Sequence, residues 1–494
     1  MNVPARSPGA SRVAGIVAIL ILAGLAATGV WRRVYAEESD AGARLDAPFT
    51  LDVRTPHIAW GKPSAGPPVR AFVVPSVSEG RTLVELAQRM DLSFDTVTID
   101  EAWDVNTWTI GTDEKYESRN YKLAYQYLEE DLTKATPYDV IVLPSLHGWN
   151  RLPQRVREAI RERVEGGTGL VLIHPTTGVP APDDPPAVRP LNDFAPDYEV
   201  PPGEDLWQLS PLVGVLSDRL NSRGHREIRP DAVANGPWKR VADHFITANV
   251  PFEAFPSDFL KHYRYKLGED STALVAGDGG EPIVATKTFG KGRVVAFGYV
   301  NTGLSPRIDW KILGQRDDHW WEYFYSVLCR SILWAAQREP AMALGTMSVG
   351  SSGAAKHTVS FPVSNSTPLA AAEVMAQIRN EWGDREGSVG ATLDFEHGGF
   401  GAKLELPGGL SAGRRYVDII LQAEGNHYDW GSVSFQIDRP NEILEINTDQ
   451  SFYERGDKVQ VSFKTQSDHP SGFVAELLDH RGRLIGREIR PDGL

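Results

Sequence analysis

Apolar runs of strand length alternate with amphipathic stretches of helix length over the early part of the chain. Residues 69–74 form an apolar strand candidate, and SEGRTLVELAQRM (78–90) carries helical spacing after it. A second strand is expected over 94–99, ending at Asp100 and Glu101, and a helix over 115–134. YDVIVL (138–143) is a third strand. In PQRVREAIRERVE (153–165), Val156, Ile160 and Val164 share one helix face, and Gly166-Gly167 stops the helix. The next run, GLVLIHPTTG (169–178), takes four apolar residues straight into His174 and a polar turn, as a buried parallel strand does where it leaves its sheet. Strands separated by helices of this length predict a parallel sheet covered on both faces.

Nine prolines within 175–202 cannot supply helix or sheet hydrogen bonds, so an insertion over the surface is expected there. Regular patterning returns with STALVAG (271–277), then PIVATKTFGKGRVVAFGYV (282–300), which reads as a hairpin around Phe-Gly-Lys-Gly. A helix follows near 318–336. From 340 to 439, short alternating stretches such as HTVSFPV, AKLELP and GSVSFQI predict an antiparallel β-sandwich. Residues 440–494 start a similar β unit. It is short for a sandwich, and the chain stops just after a strand, so this unit is expected to be incomplete. The α/β domain is accordingly bounded at 67–339.

The N-terminus has a pattern of its own. Residues 13–31 hold no charge over 19 positions, flanked by Arg6, Arg12 and Arg32-Arg33. That length suits a bilayer span of about 20 residues. Residues 1–36 are therefore expected to be a signal anchor with a transmembrane helix, 37–66 a loose linker, and the bulk of the chain extracytoplasmic, periplasmic or extracellular. A cleaved signal ending near Ala36 is the competing expectation.

Composition is that of a globular protein, 41% hydrophobic and 23% charged, and the net charge of −14 excludes a general nucleic-acid binder. A single cysteine, Cys329, excludes an internal disulfide and any cysteine-based zinc site. Cys329 lies mid-helix in an apolar context, where a small core hydrophobe is expected. No HExxH, phosphate-cradling loop or EF-hand loop occurs, and neither a cofactor nor a metal is expected.

YDVIVLPSLHGWNRLPQRVREAIRERVEGGTGLVLIH, with DHFITANVPFEAFPSDF (243–259) and FGKGRVVAFGYVNTG (289–303), resembles the class I glutamine amidotransferase-like superfamily, closest to its trehalose-utilisation branch. The resemblance covers about residues 69–337, and the β-rich remainder reads as immunoglobulin-like sandwich units. It implies an α/β flavodoxin-like doubly wound parallel sheet, followed by all-β sandwich domains. Catalytic members of the superfamily carry a cysteine on a tight strand-to-helix turn, assisted by a histidine and a glutamate. The matching turn here, 174–178, has no cysteine, so that chemistry is not expected.

The strand ends would gather Ser76, Glu79, Asp100, His147, His174, Thr176, Thr177 and Asn301 into a candidate pocket. Two imidazoles and several carboxylates could do acid–base work, yet the same residue types also serve as ordinary caps and turns. Asp243-His244 is expected to be a loop feature, and Asp317-Asp318-His319 a helix cap. Trp382, Tyr416, Tyr428 and Trp430 could stack on sugars, or pack the sandwich. Two functions follow. The first is a membrane-anchored protein whose degenerate amidotransferase-like domain binds a small molecule, a carbohydrate or, through the β domains, a protein partner. The second is a carbohydrate-related hydrolase or isomerase using His147 and His174 with Glu79 or Asp100.

Overall fold

The computed structural model describes residues 57–75, 80–97, 128–134, 136–144, 149, 152–175, 204–213, 233–255, 261–299, 320–437 with short breaks, and the strands between 443 and 490. The segment 13–31 and residues 1–36 lie outside the described residues.

Five parallel strands build one half of the main sheet: β1 (Val69–Val73), β2 (Leu92–Thr96), β3 (Val140–Pro144), β4 (Gly169–Ile173) and, much later in the chain, a strand at Gly292–Phe297. Helix α1 (Gly80–Arg89) connects β1 to β2, and α2 (Gln154–Gly166) connects β3 to β4. On α2, Val156, Ile160 and Val164 are fully buried, the face that the helical spacing dictates. Past β4 come α3 (Glu204–Leu209) and five short strands, β5 (Leu212–Val213), β6 (Val233–Asn235), β7 (Lys239–Arg240), β8 (Lys261–Tyr263) and β9 (Lys266–Leu267). Then β10 (Ser271–Ala276), β11 (Pro282–Phe289) and β12 (Gly292–Phe297) run without a helix between them.

This sheet corrects the expected fold class. Its order is β2-β1-β3-β4-β12-β11-β10-β7, and β11, β10 and β7 pair antiparallel, so the sheet is mixed rather than a purely parallel doubly wound one. The cause is local. Gly290 holds φ 58°, and a Cβ there would stand 2.6 Å from the Glu165 carbonyl, so the tight β11–β12 turn needs glycine. A turn that short returns the chain antiparallel, whereas a parallel neighbour needs a long crossover. The expected transmembrane element is corrected too: among the described residues, no helix is long and apolar enough to cross a membrane.

Helix α4 (Trp320–Ala335) is buried almost all round, because the sheet covers one side and the following β region the other. Cys329 sits fully buried on it, and burial pushes the thiol up to about 12. In the native protein Cys329 is therefore expected to resist iodoacetamide near pH 8, and to label stoichiometrically once denatured. Intact-mass measurement checks this.

Beyond α4, strands β13 (Met342–Leu344), β14 (Ser348–Ser351), β15 (His357–Asn365), β16 (Ala371–Asn380), β17 (Arg385–Asp394), β18 (Phe400–Glu405), β19 (Gly413–Ala423) and β20 (Asn426–Ile437) form two four-stranded sheets around one core. Val359 and Phe361 face Val374, Ile378, Val417 and Ile419 within it. Two hairpins follow, β21 (Ile443–Thr448) with β22 (Val461–Thr465), and β23 (Phe473–Leu478) with β24 (Leu484–Arg490).

The sandwich is joined to the α/β part through buried polar contacts. Arg330 of α4 donates to Asp429 Oδ1 (2.6 Å), to the Trp430 carbonyl and to the Phe245 carbonyl (2.8 Å). Asn249, at φ 52°, donates to the Gly345 carbonyl and accepts from the Met347 amide, while its own carbonyl accepts from Ser432. Residues 57–66, expected as part of a loose linker, are pinned by the same surfaces. Trp60 is fully buried against Trp430 and donates to the Glu322 carbonyl. His57 reaches Glu85 (3.1 Å) and Glu322 (3.2 Å), which Arg89 also bridges. Burial alone would raise the Glu322 carboxyl, but His57 and Arg89 hold it below its ordinary range.

Candidate functional site

Strand β4 ends on His174, whose φ of 56° lies in the left-handed region. That conformation is costly for a residue with a Cβ, and it is held by the His174 amide donating to the Phe297 carbonyl (2.8 Å) on β12. The His174 ring is only 3% exposed. It lies flat on Tyr263, with ring centroids 4.5 Å apart and planes 12° off parallel.

Tyr263 arrives on a segment that sequence reading passed over. HYRYKL (262–267) alternates aromatic and polar residues, a strand signature, and it crosses the ends of β4 and β12. The Tyr263 amide donates to the Gly298 carbonyl (2.9 Å), and His262 bridges to Tyr299. Because side chains alternate, Tyr263 and Tyr265 face the β4 end together. The Tyr265 hydroxyl donates to the Pro175 carbonyl (2.7 Å). A Cβ on Gly298 would stand 2.8 Å from the Tyr265 ring, so glycine there lets the ring in. Burial raises both phenols above the ordinary range, so they act as neutral donors and stacking surfaces.

The other face of the segment carries His262 and Arg264, and both turn toward Glu281. His262 Nε2 stands 3.2 Å from Glu281 Oε1, and Arg264 Nε 3.9 Å from the same oxygen. Burial lowers the His262 imidazole, an effect the Glu281 hydrogen bond opposes. Burial would raise Glu281, yet its backbone hydrogen bond and His262 bring it below the usual carboxylate range. Next to this pair, where β12 ends, aromatic rings accumulate. Trp238 contacts Phe255 and Tyr299, Tyr299 contacts Phe324, and Trp320 stacks on Trp321. Tyr263, Tyr299 and Trp321 are half-buried, so aromatic surface reaches solvent at this end of the sheet.

Of the residues expected in the pocket, His174 is described. Ser76, Glu79, Asp100, His147, Thr176, Thr177 and Asn301 lie outside the described residues, as do Trp382 and the 317–319 cluster. The strands they follow, β1, β2, β3, β4 and β12, are parallel neighbours in one sheet. His244 caps a short 3-10 turn by accepting from the Ile246 amide, a local role. Trp430 and Tyr416 are buried, and Tyr428 packs against the sandwich core, so these rings are not open to sugars. Among the described residues, no group of three His, Cys, Asp or Glu side chains could hold a metal ion.

No family model matches the chain, and no curated protein does. Solved structures similar to it include a cold-adapted β-galactosidase from Rahnella sp. R3, with 11% identity, 69% of this chain and 41% of that one covered, and a TM-score of 0.25. A β-galactosidase from Bacillus circulans sp. alkalophilus shares 12% identity over 68% of this chain and 41% of that one, at TM-score 0.26. The exo-β-1,4-mannosidase Op5Man5 from Opitutaceae bacterium strain TAV5 shares 11% over 53% and 36%, at TM-score 0.25. The chain spans about two fifths of the length of these β-galactosidases. These neighbours are glycoside hydrolases, not glutamine amidotransferases, which corrects the amidotransferase-like classification expected from the sequence. Scores this low assign no function.

Proposed function

We propose that the protein binds a carbohydrate at the carboxyl ends of the main-sheet strands, against Tyr263 and Tyr299, without using His174 as an acid or base. The observation that supports this reading is the His174–Tyr263 stack. It buries the imidazole a general acid would need to present, and leaves half-buried aromatic rings beside the polar groups of Arg264 and Glu281. Sugar rings pack their C–H faces on such rings while their hydroxyls meet the polar rim. The runner-up is a carbohydrate hydrolase working through His147 with Glu79 or Asp100, favoured by the adjacency of the parallel strands that precede these residues.

Calorimetric titration of the full chain with lactose and a panel of oligosaccharides tests the proposal. The first probe follows the β-galactosidase names above. Tyr263→Ala is expected to weaken binding about tenfold, the loss of one aromatic contact worth about 1–1.5 kcal/mol. Tyr428→Ala, at a ring packed on the sandwich, should leave binding unchanged. Equal affinity for wild type and Tyr263→Ala sinks the reading. Steady release of nitrophenol from a nitrophenyl β-galactoside would favour the hydrolase instead.

A further inference from the structure

The segment 261–267 lies across the ends of β4 and β12 as a strap with slight backbone attachment. β8 pairs with three residues of β6, β9 with two residues of β5, and one amide bond joins Tyr263 to Gly298. Pairings this short are marginal alone, so side chains decide whether the strap stays closed. Tyr263 and Tyr265 hold its inner face to His174 and Pro175. His262 holds the other face.

His262 is fully buried. Its Nε2 faces Glu281, while Nδ1 is enclosed with no hydrogen-bond partner. A Cβ on Gly277 would come within 2.6 Å of Nε2, so the ring lies on bare backbone there. The charged groups facing the ring are Glu281, from the turn between β10 and β11, and Arg264 on its own strand. From the other packed elements, β6 presents Ala234 and the end of β12 presents Tyr299. Asp278, in the same turn as Glu281, is paired with Lys239. His174 lies against the opposite face of the strap.

The carboxylate fixes the neutral tautomer with its proton on Nε2. A second proton would go to Nδ1, which has neither an acceptor nor solvent, and a buried donor without an acceptor is penalised. We propose that the 261–267 strap is a pH-responsive cover over the carboxyl ends of β4 and β12, released when His262 takes up a second proton. Burial already lowers the imidazole pKa in the closed state, and Glu281 offsets this in part. The open strap thus binds more protons than the closed one. Closure is complete above the free-histidine pKa of about 6.5 and is lost as pH falls below it. The open fraction rises by up to about tenfold per pH unit until the closed-state pKa is passed. The device goes beyond carbohydrate binding and does not depend on which ligand the site takes.

Hydrogen–deuterium exchange of the full chain between about pH 7.5 and about pH 5, corrected for intrinsic exchange, tests it. The peptide covering 261–267 should lose protection by up to about tenfold per unit below pH of about 6.5, while peptides from β3 and β12 keep theirs. His262→Gln should flatten the profile, and His174→Gln should leave it as in wild type. A flat wild-type profile overturns the proposal. So does a profile that survives in His262→Gln, that vanishes in His174→Gln, or that β3 shares. Should His262→Gln fail to fold, Glu281→Gln serves: loss of the carboxylate must move the release to lower pH, and an unmoved midpoint overturns the proposal.

Discussion

Replacing Arg330 with methionine is expected to destabilise the protein by about 3–5 kcal/mol, read as a lower urea midpoint. Arg330 is 1% exposed, and its guanidinium is enclosed by Asp429, the Trp430 and Phe245 carbonyls, and the rings of Phe245 and Trp430. Burial raises the Asp429 carboxyl, which Arg330 opposes, so removing the cation leaves a buried carboxylate facing nothing positive. The cost belongs to breaking the pair rather than to the pair's own strength. Arg330→Met with Asp429→Leu should therefore recover part of the loss. Full recovery is not expected, because the Leu344 amide donates to Asp429 Oδ2 (2.8 Å) and would be orphaned. A single-variant loss below about 1 kcal/mol would mean that water reaches this interface.

Gly169→Ala is expected to cost about 2–3 kcal/mol, measured in the same titration. A Cβ at Gly169, the first residue of β4, would stand 2.4 Å from both the backbone carbon and the carbonyl oxygen of Ala335, where α4 ends. The clash is with backbone, so no rotamer change relieves it. The helix end is also held in place. Arg293 donates to the Trp334 carbonyl (2.9 Å), and Gln337 donates to the Lys291 carbonyl (3.0 Å). Gly166→Ala, three residues earlier, is the control. Nothing lies within 4 Å of its Cβ position, and no loss is expected there. Equal effects at the two glycines would remove the close approach as the cause.

Neither of these residues reads as critical in the sequence. Arg330 stands in a helix and finds its partner 99 positions later, and nothing in residues near it marks that pairing. Gly169 looks like the tail of a helix stop, yet its demand comes from the far end of another helix. The strap was missed for a related reason. HYRYKL has a strand's alternation, but periodicity says which residues share a face, not what that face covers. His174 was legible as a strand end because four apolar residues precede it, whereas its burial under Tyr263 was not.

What the sequence determined by itself is short-range. The apolar runs located β1, β3 and β4, helical spacing picked the buried face of α2, and glycine marked the β11–β12 turn. Tertiary structure alone decided that the sheet turns antiparallel past β12, that β8 and β9 cross the candidate site, and that the sandwich locks onto α4 through Arg330, Asp429 and Asn249. The physical reason is the range of the interactions. Hydrophobic period and turn chemistry act over a few residues, whereas a buried ion pair or an aromatic stack is specified only when two distant segments meet.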